Sequence, residues 1–417
     1  MATGSHFAPL KVVGFRRFFL GEVVNTAGSS MSSLALAFAV LAIDNSATAV
    51  GWVAAASTAP MVAFMLLGGA LADRLPRALV LRGCNLLQGL VQGTAALLVL
   101  TGSAHIWELV VLQLVSGTVF AVSYPAFHGM VPVLLPVELR KSGFLLISQS
   151  EGLLRIVGPA VAGVLVATAG AGWALGFDAL TYLVAAGFLA GVRLPFGARP
   201  ERQDSVLGDF RVGWSFVRRL GWVLPIASCS LVFNAVFSGG IMVLGPAIAH
   251  GTIGSDGWGF ARAGQAVGLF IGTIVLVRIT LRRPLVACVL GFVVGALPLL
   301  VLGTSVHTGT LGAAFVVAGL GSSVINLAWS LTVQEKVPEE MLSRVMAIDG
   351  FFSFVAMPVG EILAGPLAHA FGARAVELGA VGVCLLVGAI GVSRPVLRRV
   401  VLDAAQDGPG TSSSRPA

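Results

Sequence analysis

Twelve long apolar runs, separated by short polar breaks, occupy most of this 417-residue chain. The first six are Phe18–Ile43, Val50–Ala72, Ala78–Thr101, Ile106–Val131, Gly143–Thr168 and Gly172–Val192. The second six are Val223–Ala249, Trp258–Ile279, Pro284–Leu302, Gly309–Leu331, Arg344–Ala370 and Ala375–Val392. About 18–20 apolar residues in helical form cross the roughly 30 Å hydrocarbon core of a bilayer, so each run predicts a membrane-spanning helix. The longest polar interval divides the two sets. It predicts a first six-helix half at 1–192, a linker at 193–222, a second half at 223–393 and a polar tail at 394–417. Within the linker, Phe210, Trp214 and Val217 are spaced as the apolar face of a surface-lying helix over Asp209–Leu220. The tail ends GPGTSSSRPA, a composition that predicts disorder. The first run is too long for the core of a cleavable signal and carries Glu22 inside it, so no signal peptide is expected.

Composition agrees with the pattern. Hydrophobic residues make up 56% and charged residues 11% of the chain, whereas soluble domains carry about 25% charged residues. Basic residues set the orientation. With a cytoplasmic N-terminus, nearly all of the 26 lysines and arginines fall in inner segments, leaving Arg262 and Arg374 outside and Arg155 within the membrane. Both termini are therefore expected in the cytoplasm. The net charge of +7 then reflects topology and contact with anionic lipid headgroups. No soluble basic patch suggests nucleic acid as a partner.

The two halves are also related in sequence. A shift of 202 residues superposes Pro136 on Pro338, Glu138 on Glu340, Val157 on Val359, Gly158 on Gly360, Gly163 on Gly365, Leu165 on Leu367 and Gly170 on Gly372. The region of helices four and five is thus copied in helices ten and eleven with the same direction, as parallel repeats related by an axis along the membrane normal require.

The break between the second and third runs reads GGALADRLPR, Gly68 to Arg77. It resembles the signature loop of the major facilitator superfamily: glycine, three residues, Asp-Arg, two residues, arginine, then usually another base. Gly69, Asp73, Arg74 and Arg77 fill it; Ala78 does not, and Arg82 follows one turn on. FRRFFLGEVVNTAGSSM in helix one, YPAFHGMVPVLLP at Tyr124–Pro136, GFDALTYLVAA at Gly176–Ala186 and TVQEKVPEEMLSRVMAIDG at Thr332–Gly350 resemble the bacterial drug-exporter-like branch of that superfamily, which includes siderophore exporters and macrolide efflux proteins. The resemblance implies an all-α integral membrane protein, twelve transmembrane helices in two six-helix halves around a central cavity, and alternating access. It also implies that Gly69, Asp73, Arg74 and Arg77 govern conformational switching, with Asp73 approaching Ser343 and Arg344. Two departures bear on proton antiport. Helix five has Gly143, Gly152, Gly158-Pro159 and Gly163, a broken version of the antiporter Gly-Pro motif that is equally a helix-packing pattern, and helix four has Gln113 near the place of a common antiporter arginine.

Ionisable groups inside the bilayer are the candidate chemistry, because an unpaired charge at a helix centre costs about 2.5–3.5 kcal/mol on insertion scales. Glu151 and Arg155 stand at i and i+4 on helix five, where they share a face; the pair is either a structural bridge or one that a substrate or proton exchanges with. Glu361 has no local cation, and a carboxyl in apolar surroundings favours its neutral form, which makes it a proton-coupling candidate. Glu22 opens a polar stripe with Asn25, Thr26, Ser29, Ser30, Ser32 and Ser33; it either lines a wet cavity or pairs with Arg16 or Arg17. Asp349 is a further proton candidate with an equally interfacial alternative. Asp178 is expected to cap or to hydrogen-bond within the helix-six bundle, and Asp44, Glu108, Asp256 and Glu377 to lie near the outer surface, mostly as solvated charges. For an amphipathic substrate, Phe120, Tyr124, Phe233, Phe237 and Trp329, with Phe38, Phe64 and Phe354, are available as aromatic lining.

No phosphate-binding loop precedes Lys11, Lys141 or Lys336, so energy is expected from an ion gradient. Cys84, Cys229, Cys288 and Cys384 lie in four different runs without a CxxC, and the six histidines are scattered; neither a metal nor a cofactor is expected. The sequence reading is a monomeric secondary transporter of the cytoplasmic membrane, exporting amphipathic small molecules against protons. Uptake of a nutrient or metabolite is the alternative within the class, and a non-transporting membrane sensor the alternative outside it.

Overall fold

The computed structural model describes residues 7–65, 76–192, 206–276, 279 and 281–401, and all regular structure among them is helical. Twelve helices are long and apolar enough to span a bilayer. They are α1 (Val13–Ile43), α2 (Ala47–Phe64), α3 (Arg77–Leu100), α4 (Ile106–Leu134), α5 (Val137–Ala169), α6 (Ala171–Ala190), α7 (Val223–His250), α8 (Gly254–Leu276), α9 (Pro284–Gly303), α10 (Thr308–Lys336), α11 (Arg344–Phe371) and α12 (Ala373–Ser393). A helix satisfies its backbone polar groups internally, which hydrocarbon demands. The surface is correspondingly apolar, with Leu90, Leu97, Phe270 and Leu386 all more than 60% exposed. Such an exterior fits lipid rather than water.

Each half packs by the same scheme. In the first, α1 lies against α5 and α6, α3 against α4 and α6, and α2 against α4; in the second, α7 lies against α11 and α12, α9 against α10 and α12, and α8 against α10. The repeated residues stand at equivalent contacts. Gly158 of α5 touches Ser30 of α1, and Gly360 of α11 touches the Ala235 backbone of α7. Gly163 of α5 meets Ser255 of α8, while Gly365 of α11 meets Thr48 of α2. The α5–α6 and α11–α12 turns pass through Gly170 at φ 95° and Gly372 at φ 84°, a region that L side chains rarely adopt.

The halves come closest at one end, where α1 runs into α2 and α7 into α8. A Cβ on Gly259 of α8 would lie 2.9 Å from Gly163 Cα of α5, and one on Gly51 of α2 would strike the Glu361 carbonyl of α11. The rings of Phe38 and His250 stand 6.1 Å apart there, between α1 and α7. This closed end roofs a central cavity. The linker interval contains a helix, Val206–Leu220. It packs on the start of α11: Val217 is buried with Val345 and Ile348, and the Trp214 and Phe352 rings stack at 5.9 Å.

Candidate functional site

The central cavity, of about 500 Å³, lies between α1 and α5 of the first half and α7, α8 and α10 of the second. Its polar wall comprises Thr26, Ser29, Ser30, Ser33, Arg155, Arg262, Gln265 and Ser322; its apolar wall includes Phe237, Ile241, Met242, Trp258 and Leu269. The serines follow from the polar stripe of α1, whose i, i+3, i+4 spacing turns one face toward the second half. Pro159 on α5 and Pro246 on α7 also face it. The helix α7 contains a π-helical stretch at Ser238–Leu244, and such widened turns recur at functional sites.

Arg262 was expected outside the membrane. It faces the cavity instead, because α8 starts at Gly254 rather than Trp258 and carries Arg262 about two turns inward. Its Nη1 donates to Gln265 Oε1 at 2.5 Å, and its guanidinium stands 5.1 Å over the Phe315 ring. Arg155 faces the same space. The ion pair expected between Glu151 and Arg155 is not formed; among the described residues the ion pairs are His105–Glu108 and Glu335–Lys336. Arg155 turns to the cavity, whereas Glu151 lies near enough to Glu22 and His128 to interact with their charges. Glu22 accepts from Thr26 Oγ1 at 3.1 Å, and Arg17 donates to the Gly191 carbonyl, so the alternative pairing of Glu22 with Arg17 is absent.

Glu361 is 1% exposed and is not alone. Thr58 of α2 donates to its Oε2 at 2.5 Å and Ser238 of α7 to its Oε1 at 2.5 Å. The carboxyl thus joins the two halves beside their closed end. Asp349 is half-buried near the start of α11.

Two further buried acids lie on the last helix of each half. Asp178 of α6 is fully buried beside Gly28 of α1; Gln92 of α3 donates to its Oδ2 at 2.7 Å and to Ser32 Oγ at 2.5 Å. Glu377 of α12 is also fully buried, contrary to its expected place at the outer surface. It falls one turn inside α12, in the space that Gly240 of α7 leaves, with Leu299 of α9 beside that glycine. Among the described residues neither of its oxygens has a hydrogen-bond partner.

The remaining candidates are dispersed. Ser29 and Phe237 line the cavity. Asn25 lies beside Glu22. Phe120 and Tyr124 are 43% and 44% exposed and stand 6.0 Å apart on α4, away from the cavity wall. Phe233 stacks on Phe292 at 4.8 Å, between α7 and α9, and Trp329 packs edge-on to Trp222; both belong to the packing of the second half. Gly69, Asp73 and Arg74 lie outside the described residues. Arg77 starts α3 and donates to the Gly129 carbonyl of α4 at 2.8 Å. Of the residues that sequence reasoning passed over, Arg262 had a usable signal, a cation inside an apolar run. Thr58, Ser238 and Gln92 had none, since lone small polar residues are ordinary in membrane helices.

Residues 4–408 match the model of a family described as transmembrane secretion effector, MFS_3. The chain is 26% identical to the multidrug efflux pump Tap of Mycolicibacterium fortuitum, over 96% of this chain and 99% of that one. It is 24% identical to macrolide efflux protein A of Streptococcus pyogenes, over 86% and 90%. Among solved structures it resembles a mutant of the nucleoside transporter NupG, with a TM-score of 0.73, 13% identity and coverage of 91% of this chain and 98% of that one. A bacterial homologue of the lysosomal transporter Spinster, solved inward-facing and occupied, gives a TM-score of 0.68 at 13% identity, covering 92% and 96%. A twelve-helix fold in two repeated halves and a family match over nearly its whole length lead to one conclusion: the chain belongs to the transmembrane secretion effector family, drug-exporter-like transporters of the major facilitator superfamily.

Proposed function

We propose that this protein exports amphipathic small molecules across the cytoplasmic membrane by alternating access, driven by proton entry. The observation that carries the reading is the cavity between the halves, sealed at one end by the α2–α11 and α5–α8 approaches. With the basic loops and both termini in the cytoplasm, the sealed end faces outward and the cavity loads from inside. The efflux relatives support this direction. Glu361 supports proton coupling: it accepts from Thr58 in one half and Ser238 in the other. Hydrogen bonds to a charged acceptor are roughly twice as strong as those to a neutral one, so its charge state bears on how firmly the halves hold together. A proton taken up on one side and released on the other is thereby tied to the change of access.

Transport into inverted membrane vesicles tests the reading. A panel of fluorescent amphipathic compounds is expected to accumulate when a proton gradient is imposed, acid inside. Accumulation in right-side-out vesicles alone would reverse the direction, and gradient-independent exchange would remove the proton.

A further inference from the structure

The cavity wall has a charge character that the efflux reading does not supply. Two guanidinium groups face it, Arg155 from α5 and Arg262 from α8, and among the described residues no carboxylate does. Among the described residues neither arginine forms an ion pair. The partners of Arg262 are the Gln265 carbonyl oxygen and the Phe315 ring, which orient it without neutralising it. The nearest acids along α1 and α5, Glu22 and Glu151, stand one turn before the lining residues Thr26 and Arg155, outside the wall.

Cations are costly to hold at membrane depth and are found there facing water, a partner or a substrate. Arginine also presents a planar fork of donors that matches carboxylate and phosphate oxygens. Ser29, Ser30 and Ser33 line the α1 side, with Ser29 and Ser30 donating to the Thr26 and Ala27 carbonyls and presenting their oxygens, and Phe237 and Trp258 provide apolar surface in the same cavity. We propose that the cavity selects amphipathic organic anions, binding the acid group between Arg155 and Arg262 and the apolar body against Phe237 and Trp258. Because the two arginines belong to different halves, an anion bridging them ties α5 to α8 through the cavity as well as at the closed end. The proposal rests on reading this cavity as the transport site.

The test is fluorescence titration of the full chain in lipid nanodiscs, with empty nanodiscs as blank, using dansylglycine and its neutral carboxamide. The acid is expected to bind at least about tenfold more tightly than the amide, the range of a charge-assisted hydrogen bond. Arg155→Gln and Arg262→Gln should each remove about tenfold of acid affinity and leave amide affinity unchanged, while Arg155→Lys and Arg262→Lys keep a preference for the acid. Equal binding of the two probes by the unaltered protein, which requires no variant to fold, would overturn the proposal. So would absent binding of the acid, or an equal loss for both probes in the Gln variants. Vesicle transport separates this from the export reading. Bound dansylglycine that never accumulates in inverted vesicles sinks export and leaves the anion site standing; accumulation of the amide equal to that of the acid does the reverse.

Discussion

Glu361 holds three helices at one point, since its two carboxylate oxygens accept from Thr58 on α2 and Ser238 on α7 while it belongs to α11. Glutamine keeps the shape and removes the titration. Glu361→Gln is expected to keep ligand binding and lose proton-driven accumulation in vesicles; unchanged uphill transport would move the coupling role to Glu22, where Glu22→Gln gives the same readout. Glu377 presents the opposite case, buried with both oxygens unpaired. A buried polar group without a partner costs about 1–3 kcal/mol, so Glu377→Met should leave the thermal unfolding temperature unchanged or raise it. A marked fall would reveal a partner that the static structure does not contain. Glu151 and Arg155 are i, i+4 neighbours that form no ion pair here, so the coupling between their Gln variants should not exceed about 0.5 kcal/mol, the size of a weak pair on a helix surface. A larger coupling in a double-mutant cycle would show that the bridge forms in another state.

At the scale of elements, the closed end is built by glycine. The α5–α8 and α2–α11 approaches bring backbones so close that a side chain on Gly163 would meet Ser255 and Gly259, and one on Gly365 would meet the backbone of Thr48. Small residues at helix crossings are the general means of such packing in membranes. Gly365→Val should therefore wedge the closed end open. The measurement is the distance between spin labels at positions 45 and 252, in the α1–α2 and α7–α8 turns, which should lengthen. Gly379→Val on α12, with nothing within 4 Å of its Cβ, is the matched control and should leave that distance alone. An unchanged distance in Gly365→Val with correct folding would show that this contact does not set the closed state.

For the whole molecule, the distribution of contacts assigns a conformation: the halves are joined at the α1–α2 and α7–α8 end, and the cavity lies beyond that seal. In the orientation proposed above from the charge bias of the loops, this arrangement corresponds to an inward-facing state, which accessibility would test. In a variant with the four cysteines replaced, Thr26→Cys should react with a membrane-impermeant maleimide in inverted vesicles and resist it in intact cells. Reaction from the cell exterior alone would overturn either the orientation or the resting state, and labelling of a cysteine in the 394–417 tail would tell which.

Sequence alone settled the properties that depend on local composition along the chain. A run of apolar residues long enough to cross a bilayer must be a helix, because no other open structure satisfies its backbone there; this yields twelve spans, and the shift of 202 residues relates the two halves. The ionisable residues inside the spans were equally legible, as was the polar stripe of α1. What tertiary structure alone decided is which face each of these groups presents and to whom. Successive residues turn about 100° around a helix axis, so a start earlier by four residues carries Arg262 from the outer surface into the cavity. The partners of Glu361 lie 303 and 123 residues away in the chain, beyond the reach of any local spacing. Glu377 is buried by the vacancy at Gly240 on another helix. Which end is closed is set by long-range contact between the halves, and a transporter's single sequence must be compatible with closure at either end.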